Sequence, residues 1–254
     1  MSYLNTVPLV WGMLHSPCPF DLRFAVPSAC ADQVASGEAD IGILPVIEMA
    51  RQGLEYYRGT GIACHGPVRS ILLVSKVPYR AIRTLATDSG SRTSVMLARV
   101  ILAERFGAEP RVISRPPDLE AMLAEADAAL LIGDAALAVD PSTLPFATLD
   151  LGAEWVEMTG LPMVFAVWAG RKEAVQPRWE HVFVDSCRYG LAHIEDMVKA
   201  EGPARGFPEA LIRRYFTKHI VYELGERDYE GLRAYLKHAL DLDRVTIAVG
   251  GSPA

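Results

Sequence analysis

The sequence predicts an α/β protein of two lobes with a ligand cleft between them. From Thr84 to Ile132, apolar strand-like runs alternate with helical runs, which is typical of a βα architecture. Three turns from strand to helix, at Asn5, at 88–94 and at Gly133–Asp134, contain polar or glycine residues. Because open α/β sheets bind ligands at such turns, we expect the three turns to meet at one cleft.

The predicted lobes are discontinuous. Lobe one consists of residues 1–78 and 168–254, and lobe two, residues 79–167, is inserted between them. The chain of 254 residues, half of them hydrophobic, is long enough to give each lobe a core. A hinged binder of a small molecule has this plan.

Composition excludes several classes of function. The formal charge is −6, from 25 basic and 31 acidic residues, and the basic residues are scattered. The sequence therefore predicts no surface for nucleic acid or for an anionic membrane. No apolar run reaches the roughly 18 residues that cross a bilayer. The start lacks a basic segment and a cleavage site, so we expect no secretory signal and a cytoplasmic protein.

The cysteines predict neither a disulfide framework nor a metal site. None of the four forms a CxxC pair, and no histidine spacing completes a zinc pattern. We therefore expect reduced, structural thiols, as in the cytoplasm. The four are Cys18, Cys30, Cys64 and Cys187.

The sequence of the first part of the chain predicts short helices and strands. A helix follows Asn5 or Thr6 as a cap, with Pro8 in its first turn. The further expected elements are a weakly alternating strand at 20–26, a helix at 28–36 ended by Gly37, a buried strand at 40–46, and strands at 60–64 and 70–76.

The inserted part predicts a regular βα succession, and the last third is mainly helical. The expected elements are strand 84–87, helix 91–106, strand 111–114, helix 118–124 and strand 127–132. A helix at 149–158, a strand at 163–169 and helices at about 175–199, 208–217 and 228–240 follow. The continuous apolar run at 127–132 indicates a strand covered on both faces.

The turn at 88–94 is the main candidate for an anion site. Its backbone N–H groups and its hydroxyls precede a helix, where a carboxylate or phosphate is stabilised. The alternative is an ordinary helix start capped by Ser91. The candidate substrate-binding residues here are Ser89, Ser91, Arg92, Thr93 and Ser94.

Five further residues complete the candidate site, and three of them have a structural alternative. Asn5 is a site residue or a plain cap. Arg69 and Ser70 face a ligand, or Arg69 lies on the surface. Gly133 and Asp134 form a second ligand edge, or Asp134 is a helix cap.

Six blocks of the sequence resemble chorismate dehydratase of the futalosine route to menaquinone. They occur in the family's order and are specific only when taken together. The blocks are SYLNTVPL (2–9), ADIGILPV (39–46), GPVRSILL (66–73), SRTS (91–94), ALLIGDAAL (129–137) and TGLPMVFAVWA (159–169). The C-terminal helices fit in length but contain little of the signature.

The resemblance implies a type II periplasmic-binding-protein fold that has become a cytoplasmic carbon–oxygen lyase. It implies chorismate as substrate, 3-[(1-carboxyvinyl)oxy]benzoate and water as products, and no cofactor or metal. Asn5 matches the family's active-site asparagine. Two departures are Gly90, where the family commonly has serine, and the near absence of the strand that usually precedes the Leu4-Asn5 motif.

Two alternatives to the dehydratase remain. One is a solute-binding protein of the same fold without catalysis, against which the absence of a signal peptide argues. The other is the sister enzyme of the pathway, 1,4-dihydroxy-6-naphthoate synthase. The segment Ser16-Pro17-Cys18-Pro19 superficially resembles the opening motif of that enzyme. The oligomeric state and the identity of the catalytic base stay open at this stage.

Overall fold

Two β-sheets form the centres of two lobes. The computed structural model describes residues 3–88 and 90–250, and side chains as far as Asp243. The strands are β1 (Ile41–Pro45), β2 (Glu55–Cys64), β3 (Ile71–Ser75), β4 (Thr84–Asp88), β5 (Arg111–Arg115), β6 (Ala128–Ile132), β7 (Ala147–Asp150), β8 (Met163–Gly170) and β9 (Val221–Glu223).

Eleven α-helices are found among the described residues. They are α1 (Val7–His15), α2 (Pro27–Ser36), α3 (Val46–Arg51), α4 (Arg92–Phe106), α5 (Leu119–Glu125), α6 (Gly133–Ala138), α7 (Leu151–Thr159), α8 (Glu180–Ala192), α9 (Ile194–Arg205), α10 (Glu209–Arg214) and α11 (Glu226–Gly250). A 3₁₀ turn, Leu4–Thr6, precedes α1, and a π-helical turn, Tyr215–His219, follows α10. None of the described helices is long and apolar enough to cross a membrane.

The two sheets differ in strand direction. Lobe one has the order β1-β8-β2-β9, and all of its pairs are antiparallel. Lobe two has the order β5-β4-β6-β3-β7, in which β4 is parallel to β5 and β6. β3 is antiparallel to β6 and β7. The apolar strand β6 is fully buried, as its composition predicts, although only one of its neighbours is parallel.

The chain crosses between the lobes at other points than the expected 78/79 and 167/168. β3 pairs with β6 in lobe two, with Ile71 opposite Ile132. β8 pairs with β1 and β2 in lobe one, with Met163 opposite Cys64. The crossings therefore lie at about 65–70 and 160–162. The difference arises because β3 and β8 are continuous apolar runs whose partners are set by non-local pairing.

Several other expectations differ from the structure. Residues 20–26 form no strand, because the apolar side chain of Phe20 packs on the rings of Trp179 and Phe183 instead. The long helix expected at 175–199 is two helices, α8 and α9, which meet at His193. The sequence did not predict the short strands β7 and β9. The βα succession from β4 to β6 agrees with the structure to within one residue at each boundary.

Close packing of α1 on α8 fixes the position of the N-terminal segment. The Ser186 hydroxyl accepts a hydrogen bond from the Met13 N–H (3.0 Å) and donates one to the Leu9 carbonyl (2.9 Å). It therefore lies within the hydrogen-bond ladder of α1, as an inserted side chain can. A Cβ at Gly190 would lie 2.2 Å from the Pro8 carbonyl oxygen. Only glycine permits this approach.

We expect Gly190→Ala to lower the free energy of unfolding by about 2 kcal/mol or more, because the new methyl group meets backbone atoms of Pro8 that cannot move alone. Urea denaturation followed by circular dichroism measures the change. Gly66→Ala is the matched control, since a Cβ there has no neighbour within 4 Å. Equal stability of the two variants would contradict the described packing of α1.

Candidate active site

A closed cleft between the lobes brings together most of the predicted site residues. Its cavity has a volume of about 50 Å³. Of the predicted residues, Asn5, Ser70, Ser91, Thr93, Ser94 and Gly133 line it. Their neighbours in the wall are Tyr3, Pro27, Pro45, Ile62, Val68, Ile71, Ile132, Phe165 and Ala166. The wall therefore combines hydroxyl and amide groups with apolar side chains from both lobes. Ser89 lies outside the described residues.

Lobe two contributes the start of α4 to this cleft. The Ser91 side chain caps the helix by accepting a hydrogen bond from the Ser94 N–H (3.2 Å), and its hydroxyl donates to Ser94 Oγ (2.8 Å). The hydroxyl of Thr93 accepts a hydrogen bond from the Ile47 N–H of lobe one (3.5 Å). The predicted cap and the predicted anion site thus coincide, because the first amides of a helix have no acceptor within it.

Lobe one contributes the 3₁₀ turn that contains Asn5. The Leu4 N–H donates to Asp134 Oδ1 (3.0 Å), and the Arg205 guanidinium pairs with the other oxygen of the same carboxylate. Asp134 therefore fastens the N-terminal turn and helix α9 to lobe two. The Asn5 side-chain oxygen is buried and has no hydrogen-bond partner among the described residues. A buried acceptor without a donor is costly, so a donor from a ligand would stabilise it.

Ser70 connects the crossing at 65–70 to the predicted turn at Gly133–Asp134. Its carbonyl accepts a hydrogen bond from the Gly133 N–H (2.8 Å), and its hydroxyl oxygen accepts one from Tyr215 (2.7 Å). Ser70 is 1% exposed. Since it ends the crossing at 65–70, its position depends on how that crossing is held. Ser70, Gly133 and Asn5 all line the cleft.

Tyr3 closes the cleft from the side of lobe one. A Cβ at Gly133, whose φ is +56°, would lie 2.9 Å from the Tyr3 ring, and one at Gly90 would lie 2.6 Å from its hydroxyl. The two glycines thus leave the space that the ring fills. Burial raises the pKa of the Tyr3 hydroxyl, and the charges of Asp88 and Asp134 raise it further. Tyr3 is therefore a neutral hydrogen-bond donor at neutral pH.

Arg69 is placed beside the cleft, and its side chain binds the protein itself. The guanidinium donates to the carbonyls of Ala136 (3.1 Å) and Leu137 (3.4 Å) and to that of Val139. These are carbonyls at the end of α6, where a cation is stabilising. The backbone φ of Arg69 is +67°, and its N–H donates to Asp150. Contact between Arg69 and a substrate carboxylate stays a prediction.

Arg92 points to the outer side of the lobe interface. Its guanidinium pairs with Asp32 (2.9 Å) and with Glu48 (3.0 Å), both in lobe one. It lines a separate cavity of about 210 Å³ together with Arg51 and Arg99. Arg92 thus connects α4 to α2 and α3 in this closed structure. Its role as a substrate ligand stays a prediction as well.

The cleft has no strong base in the part of the chain that the structure describes. No carboxylate, imidazole or amine is found among the described lining residues, and the tyrosine there, Tyr3, holds its proton more strongly than usual. No group of three His, Cys, Asp or Glu side chains among these residues could hold a metal ion. The arrangement can donate hydrogen bonds to an anion and exclude water, as preorganised sites do.

A larger cavity, of about 450 Å³, lies in lobe one outside the cleft. Its wall includes the aromatic side chains of Phe20 and Trp179 and four carboxylates, those of Asp21, Glu38, Asp40 and Glu173. The arginine in this wall, Arg23, pairs with Asp21 (3.3 Å). Carboxylates repel an anionic ligand, and the polar donors of the predicted turns are absent from this wall. The smaller cleft is therefore the better candidate for an anionic substrate.

The structure adds Tyr3 and Tyr215 to the predicted site. Tyr3 lies in the same motif, 2–9, as Asn5, so its closeness to Asn5 in the sequence could have indicated a place in the site. Tyr215 has no motif around it and lies 145 residues from Ser70 along the chain. Only the fold brings its hydroxyl to Ser70, which lines the cleft.

Comparison with known proteins agrees with this architecture. The periplasmic aliphatic sulphonate binding protein of Escherichia coli has a TM-score of 0.64 at 14% identity, over 95% of this chain and 85% of that one. A protein of Archaeoglobus fulgidus has a TM-score of 0.76 at 17% identity, over 95% of both chains. These likenesses confirm the two-lobed fold of periplasmic binding proteins.

Sequence comparison identifies the family. A family model described as menaquinone biosynthesis matches residues 1–241. The chorismate dehydratase of Thermus thermophilus is 30% identical over an alignment of 234 residues, and the match covers 85% of each chain. The chain therefore belongs to the menaquinone biosynthesis family, the family that its six sequence blocks resemble.

Proposed function

We propose that this protein is a carbon–oxygen lyase that removes water from chorismate to give 3-[(1-carboxyvinyl)oxy]benzoate. The observation that supports this most directly is the closed cleft, in which Asn5, Ser70 and the start of α4 line one cavity. Chorismate is a dianion, and the cleft offers neutral donors of the kind that bind carboxylates. The name of the relative from Thermus thermophilus agrees with this substrate.

The chemistry needs positioning more than a strong protein base. Loss of the C3 hydrogen and the C4 hydroxyl makes the ring aromatic, so the driving force lies in the substrate. The ring carboxylate activates the C3 hydrogen through the diene. That hydrogen and the leaving hydroxyl lie on one face, within reach of the enolpyruvyl carboxylate. We assign the role of base to this carboxylate, because the described lining residues include no alternative. It takes the C3 proton and passes it to the C4 hydroxyl on the same face, so that the C4–oxygen bond breaks and water leaves.

The residues then have separate tasks. The amides and hydroxyls at Ser91, Thr93 and Ser94 hold one carboxylate at the start of α4. Asn5 lies at the reacting C3/C4 region and orients it, and Ser70 donates to a further oxygen of the substrate. The apolar wall excludes water, so these hydrogen bonds act in a medium of low dielectric.

Substrate entry requires the lobes to separate. A volume of about 50 Å³ is far below the ~300–1,000 Å³ of ordinary ligand pockets. The crossings at 65–70 and 160–162 are the segments about which such a movement would occur. The cleft described here is thus a closed form without room for chorismate.

We also propose that the reaction takes place in the cytoplasm. Cys18, Cys30, Cys64 and Cys187 are all free thiols, and three of them are buried. Unpaired cysteines are typical of a reducing compartment.

Incubation of the purified protein with chorismate tests the proposed function. We expect the ultraviolet spectrum of chorismate to give way to that of an aromatic product, which mass spectrometry finds 18 Da lighter, the mass of one water. A protein that binds chorismate and leaves its spectrum unchanged would be a binding protein of the same fold. Conversion of cyclic dehypoxanthine futalosine instead would indicate the sister synthase. Heat-denatured protein is the control for spontaneous decay of chorismate.

A further inference from the structure

Tyr215 connects the C-terminal part of the chain to the cleft. It begins the π-helical turn after α10, a rare conformation that is frequent at functional sites. The residue is 1% exposed, and its hydroxyl lies 2.7 Å from Ser70 Oγ. Tyr215 does not line the cavity itself, whereas Ser70 does. Tyr215 therefore reaches a ligand only through side chains that line the cavity, and Ser70 is the one that accepts its proton.

The direction of this hydrogen bond follows from burial. Burial raises the pKa of the Tyr215 hydroxyl well above its usual value, and hydrogen bonding to Ser70 and Asn5 lowers it only in part. The phenol thus keeps its proton and needs an acceptor, which Ser70 Oγ supplies. A serine hydroxyl has a single proton. With Tyr215 as donor, that proton is available to the cavity that Ser70 lines.

We propose that Tyr215 is a positioning residue of the dehydration, which donates to Ser70 and thereby directs the Ser70 proton to an oxygen of the substrate. This inference rests on the proposed function. A chain of two donors is also polarised, since each hydrogen bond strengthens the next in a dry environment. Tyr215 therefore sets both the direction and the strength of the Ser70 hydrogen bond.

A double-mutant cycle on turnover of chorismate tests this role. Tyr215→Phe keeps the ring and removes the hydroxyl, and we expect kcat/KM to fall about 10-fold, the effect of one well-placed hydrogen bond. Ser70→Ala should cause at least the same loss. The double variant should be no worse than Ser70→Ala, because Tyr215 acts through Ser70. Multiplying losses would show independent roles and would overturn the proposal.

Tyr222→Phe is the matched control. Tyr222 is also a buried tyrosine, 3% exposed, but its hydroxyl has no hydrogen-bond partner among the described residues. Loss of this hydroxyl should leave kcat/KM unchanged. Equal losses for Tyr222→Phe and Tyr215→Phe would mean that the loss comes from core packing, and this result too would overturn the proposal.

Two further measurements keep the outcomes distinct. Wild-type protein that leaves chorismate unchanged refutes the proposed function and this inference with it, whereas active wild type with unaffected Tyr215→Phe refutes the inference alone. If Tyr215→Phe does not fold, 3-fluorotyrosine placed only at 215 keeps the hydroxyl and makes it a stronger donor. An altered kcat for that protein supports the role of Tyr215, and an unaltered kcat contradicts it.

Discussion

Replacing Asn5 by alanine should abolish most turnover of chorismate while leaving its binding nearly intact. Asn5 lies at the cleft wall with its side-chain oxygen unpaired, whereas the donors for the carboxylates lie elsewhere, at the start of α4. Loss of a group that acts only on the reacting centre lowers kcat, and we expect a fall of about 100- to 1,000-fold. Steady-state kinetics gives kcat, and isothermal calorimetry gives the affinity of the inactive variant.

A second substitution separates charge from position at Asn5. Asn5→Asp has nearly the same shape but adds a negative charge beside a dianionic substrate, so affinity itself should fall. The melting temperature of Asn5→Ala should stay near that of the wild type, because the Asn5 side-chain oxygen has no described hydrogen-bond partner. Unchanged turnover in Asn5→Ala would end the assignment of Asn5 to the reacting centre.

Replacing Asp150 by alanine should cause the largest loss of stability among the substitutions considered. Its carboxylate accepts four backbone hydrogen bonds, from Val68 (3.0 Å), Arg69 (2.7 Å), Gly152 (3.0 Å) and Ala153 (3.0 Å). It therefore caps α7 and holds the crossing at 65–70. Because four amides lose a charged acceptor together, we expect a fall of about 2–4 kcal/mol in the free energy of unfolding, measured by urea denaturation.

The matched control for Asp150 is another helix cap. Asp118 caps α5 through a single hydrogen bond to the Ala121 N–H (3.0 Å), so Asp118→Ala should cost about 1 kcal/mol. Asp150→Ala should in addition raise KM for chorismate, since the crossing that it holds leads directly to Ser70. Equal effects of the two substitutions would show that Asp150 is only a cap.

Local signals explain what the sequence predicts well. The run from β4 to β6 is bounded by Ser91 and Asp118 as helix caps, both of which accept the expected backbone hydrogen bonds. The predicted turns at 88–94 and at Gly133–Asp134 are local as well, because each joins the end of a strand to the start of a helix. For this reason Ser91 and Gly133 are within reach of sequence reasoning.

Pairing over long distances explains what the sequence leaves open. The sequence of an apolar strand such as β3 does not indicate which strand it pairs with. The observed lobe boundaries therefore differ from the predicted ones. The sequence predicts that Arg69 and Arg92 are cations but not which oxygen each meets, and both meet acceptors of the protein. Tyr215 was missed because only tertiary structure brings it to Ser70.

The ion pairs of Arg92 have a consequence for the equilibrium between closed and open forms. Arg92 pairs with Asp32 and Glu48 across the lobes, and Asp243 of α11 pairs with both Arg51 (2.7 Å) and Arg99 (3.2 Å). These contacts stabilise the closed form before any ligand is bound. Chorismate then enters only through the open fraction, and its apparent affinity is reduced by that fraction. Salt screens such half-exposed ion pairs, so a higher ionic strength should increase the open fraction, although these pairs lie outside the cleft.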